Sequence, residues 1–81
     1  MTRTINDDHG RPWEAVAIPT KVAHLRDGAQ LGFRLSGDAD AVVTAPITFN
    51  SLDAANFAIS TMGEKELRRR LELAKTAAGV A

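Results

Sequence analysis

The apolar residues of this chain change their spacing once, near Asn50, and that change limits the folds open to it. Ahead of Asn50 lie two alternating runs. Ala29, Leu31, Phe33 and Leu35 alternate with Gln30, Gly32 and Arg34, and Val43, Ala45, Ile47 and Phe49 alternate with Thr44, Pro46 and Thr48. Successive side chains of a strand point to opposite faces, so each run predicts a strand buried on one side. Beyond Asn50 the spacing becomes helical. Leu52, Ala55, Ile59 and Met62 form one stripe, and Leu67, Leu71, Ala74 and Ala78 form another. Strands first and helices last give an α+β layer: an antiparallel sheet of three to four strands in a meander, followed by two C-terminal helices packed on one face.

The boundaries follow from local chemistry. Met1–Pro12 is polar apart from Ile5, with Asn6-Asp7-Asp8-His9-Gly10 reading as a turn, so residues 1–12 are expected to form a flexible N-terminal arm. Residues 13–81 form the single domain. Trp13–Ile18 is a short apolar run between Pro12 and Pro19 and reads as a first strand, 13–18; a second is expected over 20–25, with the others over 29–35 and 42–49. Asp27-Gly28 is a strong hairpin signal. A three-residue Arg26-Asp27-Gly28 loop pairs Leu25 with Ala29 and Ala23 with Leu31, gathers the apolar residues on one face, and leaves His24 opposite Gln30; a two-residue turn exchanges the faces. Pro46 is expected at an edge strand or a bulge. Asn50 or Ser51 caps a helix over 51–60, with Asp53 in its first turn. Thr61-Met62-Gly63-Glu64 matches a capping box and starts a helix over 62–78, closed by Gly79.

Composition narrows the function. Ten Lys+Arg balance ten Asp+Glu, which disfavours recognition of nucleic acid or an anionic membrane through bulk charge. There is no cysteine, so disulfides, thiolate metal sites and cysteine nucleophiles are excluded. No apolar run is long enough to span a membrane, and MTRTINDDHG has no apolar region of a secretory signal, so a cytoplasmic location is expected. Asp7, Asp8 and His9 are possible metal ligands, but adjacent loop positions seldom converge on one ion and no second His or Cys cluster completes a site. His24 is the one other histidine; a general base needs an orienting acid and a nucleophile, and no motif supplies them. No G-x-G-x-x-G or P-loop is present. No metal, cofactor or enzymatic activity is expected. Gly32, in mid-strand, marks a bulge or the close approach of another backbone.

Two groups of residues remain. Arg68-Arg69-Arg70 fan round a helix at about 100° per residue. Arg68 lies four residues from both Glu64 and Glu72, and Arg70 lies four after Glu66, so the run reads chiefly as a solvated, ion-paired face. Phe57 and Leu73 face away from their helices' main stripes. They either pack the helices on each other or form a surface for another protein. A chain of 81 residues buries only ~60% of its unfolded surface, and association is a common way to gain more. The leading expectation is a small protein–protein interaction or regulatory module, homodimeric, with Trp13, Phe57 and Leu73 as interface anchors. The alternative is a nucleic-acid-associated protein using Lys65, Arg69 and Lys75 of the last helix with Arg34 and Lys21. A small enzyme built on His24 is a distant third.

Overall fold

A computed structural model describes residues 3–22, 26–38 and 40–79. The elements are β1 (Arg3–Asn6), β2 (Pro12–Val22), β3 (Arg26–Leu35), β4 (Val42–Phe49), α1 (Leu52–Thr61) and α2 (Glu64–Ala78). The strands pair antiparallel in the order β1-β2-β3-β4, and the helices pack on one face of that meander. The expected α+β architecture is therefore present. Of its four strands, β4 has the expected bounds and β3 contains the expected 29–35, while the first two differ from expectation.

The alternating runs behave as their period requires. Ala29, Leu31, Phe33, Val43 and Ala45 are buried beneath the helices, while Thr44, Pro46 and Thr48 are exposed. Pro46 meets both expectations, since β4 is an edge strand and its register against β3 shifts between Gln30 and Gly32. The Gln30 side chain donates to the Ala45 carbonyl there at 3.2 Å, pairing a group left over by the irregularity. Gly32 has a second reason to lack a side chain. A Cβ there would lie 2.2 Å from Ile18 Cδ1 and 2.9 Å from Ile18 Cγ1, because the Ile18 side chain, next along β2 from Gly32's partner Val16 on that face, reaches over it.

The N-terminal segment departs from expectation. Instead of a flexible arm, Arg3–Asn6 forms an edge strand whose Ile5 sits opposite Trp13 and is buried. One apolar residue suffices because its partner is the largest side chain of the core. The turn that returns the chain closes on Asp7: its N–H donates to the Arg11 carbonyl at 2.9 Å, and the Gly10 N–H donates to the Asp7 carbonyl at 3.0 Å. Gly10 holds φ 78°, a left-handed conformation that favours glycine.

The β2–β3 hairpin is also displaced from expectation. The separate strands at 13–18 and 20–25 are one strand running through Pro19, which pairs with Ala29. β1 reaches only as far as Ala15, so β2 has no described strand on that side at Pro19, and a residue without an N–H interrupts no ladder there. Asp27 and Gly28 lie within β3, opposite Lys21 and Thr20, and so do not form the expected turn. Ala23, His24 and Leu25 lie outside the described residues; Gln30 pairs with Ile18, not His24. The observed register aligns Trp13, Ala15 and Ala17 with Leu35, Phe33 and Leu31. A local turn preference yields to a ladder that buries the tryptophan.

Ser51 caps α1, its Oγ accepting from the Ala54 N–H at 3.0 Å. No acid or base of α1 itself neutralises its far end; Arg3 of β1 does so, donating to the carbonyls of Ile59 (3.2 Å) and Met62. The expected capping box does not form. Helix α1 runs through Thr61, whose hydroxyl donates back to the Phe57 carbonyl at 2.9 Å, and Gly63 occupies the N-cap of α2 without a side-chain bond. At the other end Gly79 closes α2 in the left-handed conformation, as expected. Helix α1 lies over β2 and β3, α2 lies against β4 and reaches β1, and each helix packs on the sheet more than on its neighbour.

Candidate functional site

The residues that fit no single stripe separate cleanly in the structure. Ala55 and Ile59 bury one side of α1, and Phe57, two residues from each, is turned roughly 200° away. It is 70% exposed. Leu73 of α2 is 46% exposed, and Leu52 and Val42 are similarly open. Phe57 and Leu73 therefore do not pack the helices on each other. Trp13, expected beside them as an interface anchor, is instead in the core at 2% exposure. It can be buried because its indole N–H has a partner: it donates to Asp7 Oδ2 at 2.9 Å.

That Asp7 is the centre of a charged cluster which sequence reasoning did not anticipate. Its side chain is closed to solvent. Oδ1 accepts from the backbone N–H groups of His9 (2.9 Å) and Arg11 (2.8 Å). Oδ2 accepts from Arg11 Nε at 3.0 Å, the Trp13 indole and Lys75 Nζ at 3.1 Å. Burial alone would push the carboxyl up. The donors of Trp13, Arg11, Lys75 and His9 outweigh it and hold Asp7 well below the usual carboxylate range. Lys75 is 2% exposed and also faces Asp8 Oδ1 at 3.5 Å and Glu72 Oε2 at 3.9 Å. The Arg11 guanidinium lies 6.0 Å from the Trp13 ring centre. A carboxylate so fully supplied with N–H donors has no lone pair left for a metal and no tendency to carry a proton. Among the described residues no group of three His, Cys, Asp or Glu side chains is placed to hold an ion. The cluster fastens the β1–β2 turn to the last turns of α2; its signal in the sequence was an Asp followed by a Trp six residues on, which is too common to read.

The candidate nucleic-acid contacts do not assemble. Lys75 is sealed against Asp7, Arg34 pairs with Glu14 at 3.5 Å, and Lys21 pairs with Asp27. Arg68 and Arg70 hold Glu64 (3.6 Å) and Glu66 (3.1 Å) one turn away, as their spacing predicted. Lys65 and Arg69 remain exposed on α2. Phe33 and Phe49, the aromatics of β3 and β4, lie on the helix-covered side, so the open sheet face has no stacking platform at those positions.

One cavity of about 520 Å³ opens where β2 and β3 approach the start of α1, bordered by Pro19, Thr20, Gly28, Ser51 and Leu52. Its ionisable lining groups, Lys21 and Asp27, are paired with each other. Ser51 is occupied as the α1 cap, and no base among the described lining residues approaches its hydroxyl. Among its described lining residues no nucleophile is hydrogen-bonded to a base. No helix among the described residues is long and apolar enough to cross a membrane. Comparison with family models, curated proteins and solved structures gives no match, so the reading of function rests on these surfaces alone.

Proposed function

We propose that the chain is a small non-catalytic protein-interaction module of the cytoplasm that works as a homodimer through its helical layer. The observation that carries this reading is Phe57: a large aromatic, 70% exposed, on a helix whose other face is well packed. Burying a phenylalanine side chain is worth roughly 1.5–3 kcal/mol, and this one, 70% exposed, gains little of it within one copy. Leu73 adds a second exposed apolar side chain on α2. The nucleic-acid alternative draws on Lys65 and Arg69 only, since the other three basic candidates are engaged in ion pairs.

Sedimentation equilibrium across the micromolar range tests the proposal. A dimer mass that falls toward monomer in Phe57→Asp or Leu73→Glu, with an unchanged circular dichroism spectrum, is the expected result. A monomer at every concentration would remove the homodimer.

A further inference from the structure

The helices pack on the sheet more than on each other, and one short stretch of chain holds the far ends of both. Along β1 and into the turn, Thr4 and Asn6 are exposed, while Arg3, Ile5 and Asp7 engage the body of the domain. Arg3 donates to the Ile59 carbonyl at 3.2 Å and to that of Met62, at the end of α1. Ile5 is buried opposite Trp13. Asp7 accepts from Lys75 Nζ at 3.1 Å, near the end of α2. These three side chains span ~13 Å of extended backbone.

Residues 3–7 are otherwise lightly held. β1 has four residues, pairs on one side only and contributes one buried apolar side chain. By contrast, β2 and β3 pair over ten positions. The hold of residues 3–7 on the domain is therefore mostly polar and sits at two points, Arg3 and Asp7. Each clasp keeps the strand in place for the other, so the two act together. Segments with few buried apolar contacts open as units, below the free energy of global unfolding.

We propose that residues 3–7 form a strap that unclasps from both helices as one unit while β2, β3 and β4 stay paired. The strap swings on the turn at Gly10. Release frees the Lys75 ammonium, removes the acceptor of the Trp13 indole and leaves the Pro12–Ala15 backbone unpaired on that side. The domain then has two folded forms, one sealed and one with its single tryptophan open. The device does not involve Phe57 and works alike in a monomer and a dimer.

Hydrogen exchange of the full chain reads the unclasping. Its reporters are the Trp13 indole N–H, bonded to Asp7, and the amides that pair β1 with β2. Arg3→Met removes the clasp four residues away from Asp7. It should speed exchange of the indole and of the β1–β2 amides by one common factor, about tenfold or more, with protection in β3 unchanged. Indole exchange that ignores Arg3→Met overturns the strap. Equal acceleration in β3 also overturns it, because the opening would then be global. A second variant reads the same step without removing either clasp. Thr4 and Glu14 are cross-strand partners and the chain has no cysteine, so Thr4→Cys with Glu14→Cys can lock the strap by a disulfide. Oxidation should slow indole exchange at least tenfold and lower acrylamide quenching of Trp13, and reduction should reverse both. Oxidation without effect on either would show that the strap does not leave the sheet.

Discussion

Lys75 and Phe57 invert the usual distribution of side chains in opposite senses. Lys75 is a cation at 2% exposure; Phe57 is an aromatic at 70%. The lysine's position is accounted for within one copy: Asp7, Asp8 and Glu72 surround its ammonium, and Asp7 is itself supplied with N–H donors from three other residues. Phe57 has no comparable account. Its carbonyl and the hydroxyls next to it are satisfied, but its ring faces water. A misplaced residue with partners inside the chain is a structural device. One without them is the feature on which the proposed pairing with another copy rests.

The largest effect is expected where that contrast is broken at Asp7. Asp7→Ala strands the Trp13 indole, the Lys75 ammonium and two backbone N–H groups in one place. Removing one member of a buried pair costs about 3–5 kcal/mol, much of the stability of an ordinary small domain. Urea titration of Asp7→Ala should give a large drop in midpoint or an unfolded chain. Lys75→Met should cost less, since Asp7 keeps its other donors and the methylene stem is retained. Equal losses in the two variants would mean that the ammonium, and not the carboxylate, organises the turn.

A pH titration sharpens the same point with a smaller expected change. The folded-state pKa of Asp7 is depressed, so its contribution is fully present above the unfolded carboxylate value, about 4. It is lost progressively as pH falls below that value toward the folded one. Wild-type stability should decline through this acid window. In Asp7→Asn the decline should be shallower and the plateau at neutral pH lower. Parallel curves for the two proteins would show that other carboxylates carry the acid dependence.

These positions also separate what could be read in the sequence from what could not. The inward faces of residues 29–35 and 43–49, the middles of the two helical stripes (Ala55 and Ile59; Leu67, Leu71 and Ala74), the Ser51 and Gly79 caps and the outward turn of Phe57 and Leu73 all rest on periodicity or on partners a few residues away, whereas Leu52 and Ala78, expected at the ends of those stripes, are exposed. The features that escaped depend on distant partners. β1 exists because Ile5 meets Trp13, and Lys75 is buried because Asp7 lies 68 residues earlier in the chain. Trp13 was misread as a surface anchor because its hydrogen-bond partner sits in a segment that looked like a loose arm. The Asp27-Gly28 turn signal was genuine as a local preference and lost to the pairing of Trp13 with Leu35. Of the proposed site, the aromatic was visible in advance. The cation at the far end of α1 was not, because Arg3 reaches the Ile59 and Met62 carbonyls from β1.

Gly32 is the next position in size of effect. Gly32→Ala forces the added methyl against Ile18 Cδ1 and Cγ1, and overpacking of this kind costs typically about 1–3 kcal/mol. Ile18→Ala removes both atoms. The double variant should recover part of the loss, which a thermodynamic cycle over the two sites measures directly. Additive losses would place the strain in the backbone of the β3–β4 irregularity and not in the Ile18 contact.

The smallest effect on the single chain is expected at Phe57, and there the concentration at which stability is measured decides the result. In a dilute sample, where copies are apart, Phe57→Asp removes a side chain that touches little and should change unfolding free energy by no more than about 0.5 kcal/mol. If the proposed dimer forms, a concentrated wild-type sample gains stability by mass action, because the partner binds the folded form alone. The variant cannot. The melting temperature of the wild type should therefore rise with protein concentration while that of Phe57→Asp stays flat, the two converging on dilution. Asp7→Ala should behave in the opposite way, its deficit being the same at every concentration. If the Phe57 deficit also proved independent of concentration, the ring would be stabilising its own copy, and Phe57 would belong with Lys75 among the residues explained from within.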